Sequence, residues 1–259
     1  PHNAGIMQRV HFDHDLPLYN TAATRTLEAV GIAATGPHVL MQRAGAAIAR
    51  LAVAIAPHAQ QIWVACGAGN NGGDGLEAAA LLKHQGLNVC VSWLGSPDTA
   101  PQDTQKSRQK AIDCGVRFVD QAPENLDEQD LYIDALLGIG LTAGDQARKP
   151  STALLALLSS IRNTKATVLC VDLPSGLIAD SGQLAPGFEH ASGNSTSQSP
   201  RHTLSLLTLK PGLFTGAGRD EAGTVWLDDL DLSQGNLPPS ALLAGAPEQQ
   251  HRPHASHKG

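Results

Sequence analysis

Aromatic residues are scarce: three Trp, two Tyr and four Phe make up 3% of the 259 residues. Hydrophobic content still reaches 42%, so alanine, leucine and valine must fill the core of one large domain. Basic residues are also few. Lys and Arg total 18 against 24 acidic residues, a formal charge of −6, and they nowhere cluster. That balance argues against a nucleic-acid partner, which depends on a basic surface. Long apolar runs are missing too; the longest are strand-sized and broken by glycine, so no membrane span is expected. The first thirty residues hold histidines and acids in place of a basic region and an apolar core. No secretory signal is expected from them, and a cytoplasmic location is expected. The four cysteines, Cys66, Cys90, Cys114 and Cys170, form no CxxC pair. They read as buried thiols of a reducing compartment, and a zinc site is not expected.

What is present is an alternation of strands and helices. Residues 1–17 are rich in His and Asp without periodicity and read as an irregular end. "LYNTAATRTLEAVGI" and "HVLMQRAGAAIARLAVAIA" follow as two helices, the second with apolar residues spaced for a buried stripe. From Ile62, strands "IWVAC", "NVCVSWLG", "VRFVD", "LYIDALLG" and "TVLCVDLP" are separated by helices "LEAAALLKHQG", "TQKSRQKAIDCG" and "STALLALLSSI". Near-continuous apolar strands with helical crossovers predict a parallel sheet covered on both faces. Residues 181–200 read as a long polar loop, after which "HTLSLLTLK" and "GTVWLDDL" extend the sheet. From Ser233 the chain turns to Pro, Gly, Gln and His and reads as a linker. The expected domain spans 18–232.

The first strand runs into "GAGNNGGDG", residues 67–75. Its GxGxxG match is weak by itself. A dinucleotide fingerprint also needs an acid for the ribose at the end of the second strand. That strand ends "VSWLG", with neither a carboxylate nor an arginine for a 2′-phosphate, so an ordinary dehydrogenase is disfavoured. The loop carries two amides and a carboxylate that a plain turn does not need. A helix amino end offers N–H donors to phosphate, and Asn70 and Asn71 add carbonyl oxygens that suit a hard cation. The structural alternative is a tight turn with Asp74 as a helix cap. Two more strand ends share this character. Asp134 interrupts "LYIDALLGIGLTAG", and Asp172 ends "VLCVDLPSGL". In open α/β sheets ligands bind at such carboxyl ends.

Together "GAGNNGGDG", "YIDALLGIGLT" and "VDLPSG" resemble the NAD(P)H-hydrate epimerase family, the YjeF N-terminal domain, over roughly residues 18–230. "LMQRAG" and "TLKPGLFTGAG" add weaker support. The resemblance implies a Rossmann-like three-layer α/β/α sandwich with a mostly parallel sheet. It implies a substrate, NADHX or NADPHX, in which the nicotinamide ring is hydrated at C6, and interconversion of its R and S forms. Asn70, Asn71, Gly72, Gly73 and Asp74 match a first substrate loop, and Gly138, Ile139, Gly140, Leu141, Thr142, Ala143 and Gly144 a second. Asp172 matches an acid that contacts the substrate, and is the candidate catalytic residue. Asn71, Asp134 and Ser175 match side-chain ligands of one potassium ion per subunit.

Lys210, in "TLKPGL", could reach a phosphate, but a strand-end lysine is usually solvated and it is left out of the expected site. "TRTLEAVGI" stands where the family often carries an Arg/Asp pair, a departure expected to touch helix packing more than chemistry. "SHKG" at 256–259 resembles the junction to an ADP- or ATP-dependent dehydratase domain in two-domain relatives, so a fused partner domain is expected and dehydration by this stretch alone is not. Relatives form dimers, which makes a homodimer possible. The alternative reading is a non-catalytic nucleotide-binding or dimerisation module of the same fold.

Overall fold

The computed structural model describes residues 7–124, 126–141, 149–189 and 199–245. Two short strands, β1 (Gln8–Arg9) and β2 (Leu16–Leu18), precede α1 (Thr21–Thr35) and α2 (Val39–Ile55). Then follow β3 (Ile62–Cys66), α3 (Asn70–His84), β4 (Val89–Trp93), α4 (Gln102–Asp113), β5 (Arg117–Phe118), β6 (Leu131–Ala135), α5 (Thr152–Asn163) and β7 (Thr167–Val171). β8 (Arg201–Leu206), α6 (Gly218–Glu221), β9 (Thr224–Asp228) and β10 (Ala241–Leu243) complete the described chain. The mixed α/β architecture with a large, mostly parallel central sheet is the one the sequence pattern implies.

The main sheet has the order β1-β9-β8-β7-β6-β3-β4-β5. Every pairing in it is parallel except β1 with β9. From β3 the chain winds outward through β4 and β5, then returns to place β6 on the other flank of β3. The strand order therefore switches direction between β3 and β6, and a crevice opens at their carboxyl ends. The glycine loop follows β3, and residues 136–141 follow β6.

Strand residues alternate between two apolar layers. Ile62, Val64 and Cys66 of β3 join α1 to α4 through Leu27, Ile48, Leu76 and Ala111. Trp63 and Ala65 face the other way, onto Leu157, Leu158 and Ile161 of α5 and onto Phe188. The second layer is thus one helix completed by the coil after β7. Helix ends follow local chemistry. The Asn20 side chain accepts from the Ala23 amide and Ser151 from the Leu154 amide, each relieving an orphan donor.

Two features differ from the sequence reading. The expected helix at Leu76 begins six residues earlier, at Asn70, so "NNGGD" is helix and not loop. The chain ends are not wholly irregular: β1 adds to the sheet edge, and β10 pairs antiparallel with β2, setting Leu243 opposite Leu16. Segments of two or three residues are too short to show a period. The loop expected at 181–200 lies partly outside the described residues, as does "SHKG".

Candidate functional site

A cavity of about 570 Å³ lies over the crevice, a volume within the range of small-molecule sites. Asn70, Asn71 and Asp74 of α3 line one side, Leu136 to Leu141 another, and Asp172, Leu206, Leu207 and Lys210 a third. Glu28 of α1 closes it, with His38 and Met41. The three strand ends singled out in the sequence are therefore brought to one place.

Glycine makes the first wall possible. A side chain on Gly67 would collide with the Leu136 carbonyl oxygen, and one on Gly72 with the carbonyl of Gly67. The β3–α3 turn thus folds tightly against the strand end beside it. Gly72 and Gly73 are buried in that packing and are not among the lining residues. Gly69 is the N-cap of α3 and has no side chain to satisfy the first amides of the helix. Ala68, Gly69 and Asn70 are exposed, so the amino end of α3 faces open space at the cavity rim. Asp74, in the second turn, is not a helix cap.

Asp134 and Ser175 lie beneath the wall, at 1% and 3% exposure. The Ser175 hydroxyl donates to Asp134 Oδ1 at 2.6 Å, and the Ser175 amide to Oδ2 at 3.0 Å. The Leu136 amide also donates to Oδ1, at 3.2 Å, and the Leu137 amide to Ser175 Oγ at 3.0 Å. Burial pushes the Asp134 carboxyl up, and these hydrogen bonds oppose it. Asn71 packs against Gly138, and its Nδ2 is buried without a hydrogen-bond partner. Rotation of the amide would put its carbonyl oxygen at that position. The donors gathered here are one carboxylate, a hydroxyl, an amide and backbone carbonyls. Such a set fits a hard, weakly charged cation and not a transition metal. Among the described residues no group of three or more His, Cys, Asp or Glu is placed to hold a metal ion.

Asp172 has φ of 67°, a left-handed conformation rare for a side-chain-bearing residue and often kept at functional sites. Its amide donates to the Leu204 carbonyl at 2.7 Å. Its Oδ1 accepts from the Leu206 amide at 3.3 Å and, more closely, from Lys210 Nζ. Lys210 is 0% exposed. Its remaining donors reach the Leu206 carbonyl at 2.7 Å and Ser205 Oγ at 3.4 Å. The expectation of a solvated Lys210 is overturned. A lysine with this much apolar sequence around it is dragged inside and must pair.

Three further carboxyls line the cavity, Glu28, Asp74 and Asp103, and Asp103 is paired with Lys106. Among the described residues no hydrogen bond reaches Asp74 or Glu28. Asp74 is only partly exposed and hemmed in by protein. Burial pushes its carboxyl well above the usual range, helped by the negative charges of Asp172, Glu28 and Glu77. Glu28 is pushed up by burial and then by Asp172, against Arg25 and Lys210. Sequence reasoning missed Glu28. The departure in its helix was expected to touch packing more than chemistry, but the Thr24 hydroxyl bonds that of Thr208 at 2.8 Å and leans α1 over the site. Of the second expected loop, Gly138, Ile139, Gly140 and Leu141 line the cavity; Thr142, Ala143 and Gly144 lie outside the described residues.

Comparison with known proteins bears on this site. A family model described as YjeF-related protein N-terminus matches residues 37–212. The bifunctional NAD(P)H-hydrate repair enzyme of Escherichia coli K12 is 32% identical over 205 residues, covering 79% of this chain and 37% of that protein. The chain thus spans little more than a third of the length of that relative. The NAD(P)H-hydrate epimerase of Oenococcus oeni is 29% identical over 211 residues, 80% of this chain and 90% of its own. That of Rhodobacter capsulatus is 34% identical over 177 residues, 64% and 80% of the two chains. The crystal structure of the yeast protein ynu0, YNL200c, superposes with a TM-score of 0.59 at 20% identity, covering 82% of this chain and 88% of that one; it supports the fold alone.

Proposed function

Because the chain belongs to the YjeF-related N-terminal family, we propose that it is an isomerase that interconverts the R and S forms of NADHX and NADPHX. The observation that carries this reading is the Asp172–Lys210 pair, buried at the cavity wall opposite the amino end of α3. A degenerate binding module has no reason to retain a charged pair in its interior, because such pairs are costly to bury.

The hydrated C6 is a hemiaminal carbon, bonded to both the ring nitrogen and a hydroxyl. Epimerisation proceeds by loss of that hydroxyl to an iminium, or by ring opening to an aldehyde; either way a proton moves at oxygen or nitrogen and no hydride moves. Asp172 is the group we assign to that proton. Lys210 and the Leu206 amide fix its orientation. The open amides at the start of α3 suit the diphosphate of the substrate. We further propose that Asn71, Asp134 and Ser175 hold one potassium ion, which would lower the negative charge of the phosphates and steady the loops after β3 and β6. In longer relatives a second domain is fused to this one, and we take the repair cycle to be completed there.

The test begins with equilibrated R and S NADHX and a separate dehydratase specific for S. Once S is consumed, the chain is added in potassium chloride, and recovery of NADH absorbance from R is followed. Recovery should be fast, should fall about 10²–10⁴-fold in Asp172→Asn, and should slow when choline replaces potassium. Recovery at the spontaneous rate from folded protein would favour the non-catalytic module.

A further inference from the structure

Four carboxyls line the cavity, Glu28 from α1, Asp74 from α3, Asp103 from α4 and Asp172 from the end of β7; Asp103 is paired with Lys106, and the other three are not equivalent. Asp172 has Lys210, the one buried Lys or Arg among the described residues, and a backbone amide as partners. It is therefore committed as a hydrogen-bond acceptor, suited to receive a proton. Asp74 has no hydrogen-bonding partner among the described residues, and its side chain opens on the cavity. Glu28 likewise has none, and the nearest cation on its own helix, Arg25, is exposed.

The charged and titratable groups around Asp74 can be followed element by element. Glu77, on the next turn of α3, is already engaged by His38 at 2.9 Å, Lys110 at 2.6 Å and Ser107 at 3.3 Å. His38 and Lys110 are thus spent on Glu77. Asp103 of α4 stands 3.1 Å from Lys106. Cys66 and Asp134 lie below, in β3 and β6, and Cys66 is pushed up by burial, then by Asp74 and Asp134. Among the described residues no cation pairs with Asp74; Arg25, which also lines the cavity, acts on Glu28. Environments that treat two carboxyls this differently commonly separate an acid from a base.

We propose that Asp74 is a second catalytic residue, the donor that protonates the leaving C6 hydroxyl, and that Glu28 is a positioning residue that keeps Asp74 in its acid form. This rests on the epimerase reading above. In the iminium route the C6–O bond breaks with its electron pair going to oxygen. The Asp74 proton joins that oxygen, and water departs as the ring nitrogen lone pair forms C=N⁺. When water adds back to the other face, its oxygen forms the new bond to C6 and its surplus proton passes to Asp172. The two residues exchange roles in the reverse direction, and proton exchange with solvent resets them. Burial and the negative neighbours both favour the protonated form of Asp74.

The experiment is the coupled NADHX assay on the whole chain across pH. Asp74→Asn should lower kcat by about 10²–10⁴-fold with a smaller change in KM. Glu28→Gln should stay active, with the alkaline limb of kcat moved to lower pH, because removing a negative neighbour lets Asp74 lose its proton earlier. Infrared spectra at neutral pH should show a protonated carboxyl in wild type that Asp74→Asn lacks. An Asp74→Asn chain retaining more than about a tenth of wild-type kcat, well short of the loss expected for a proton donor, overturns the donor role. An unmoved limb in Glu28→Gln overturns the positioning role. A folded wild-type chain inactive in potassium would remove the epimerase reading, and this inference with it.

Discussion

At the scale of single residues, the Lys210–Asp172 pair is the interaction most exposed to substitution. Removing one member of a buried pair leaves the other without compensation, while removing both at similar volume can be nearly neutral. Lys210→Met should therefore cost about 3 kcal/mol of stability. Adding Asp172→Asn to it should recover much of the loss, although both chains would be inactive. Denaturant midpoints measured on the two single variants and the double give the coupling directly; simple additivity would show that the pair contributes little. Asp172 itself was legible in the sequence, because a carboxylate at the end of an apolar run and before Pro-Ser-Gly is out of place in a core. So was Asp134, for the same reason, while Asn71 stood out as one of two amides in a glycine loop that a plain turn does not need. Lys210 was not: its partner lies 38 residues away, and nothing in "TLKPGL" distinguishes a buried strand-end lysine from a solvated one. Glu28 was hidden more deeply, since a charged residue on an amphipathic helix looks like surface until the lean of the helix is known.

Helix α3 links the glycine pattern to the site, and its start shows why the pattern was only half readable. Two adjacent glycines are expected to delay a helix, each costing about 1 kcal/mol relative to alanine. Here packing wins. Gly73 sits against Met41 and Gly75 against Ala135 and Cys66, so side chains would push α3 away from α2 and from the sheet. The helix therefore begins at Asn70 and presents Asn71 and Asp74 from successive turns. Gly72→Ala would gain helix propensity yet force its new methyl into the Gly67 carbonyl. The second effect is the larger, because that atom is backbone. A net loss of about 1–3 kcal/mol, the usual cost of overpacking, is expected by thermal unfolding, with weaker substrate binding as the β3–α3 turn moves. A Gly72→Ala chain as stable as wild type would mean that the turn is free to shift without cost.

For the whole molecule, the ends of the described chain meet and brace the site. The Tyr19 hydroxyl donates to Gln234 Oε1 at 3.0 Å, the Ser240 amide to the Leu18 carbonyl at 2.8 Å, and the Asn20 amide to Ser240 Oγ at 3.1 Å. Leu237 packs against the main core, and β10 pairs with β2. These contacts converge on Asn20, the N-cap of α1, the helix that carries Thr24 and Glu28 to the cavity. A stretch rich in Pro, Gly and Gln reads as linker because its strand is three residues long and its hydrogen bonds go to the other end of the chain. A chain ending at 233 should be less stable than one ending at 245 by about 4–5 kcal/mol, allowing about 1 kcal/mol for each of these three hydrogen bonds and about 1.5 for a partly buried leucine. Hydrogen exchange should speed up first in α1, where the cap loses its support, and much less in β3, β6 and β7 at the centre of the sheet. Catalysis should follow the same division: with α1 loosened, KM rises and the alkaline limb of the pH profile moves as it does in Glu28→Gln, while Asp172 and Lys210 remain in place. Equal exchange in α1 for the two lengths would mean that the Thr21–Asp180 and Thr24–Thr208 bonds suffice to hold the helix over the site.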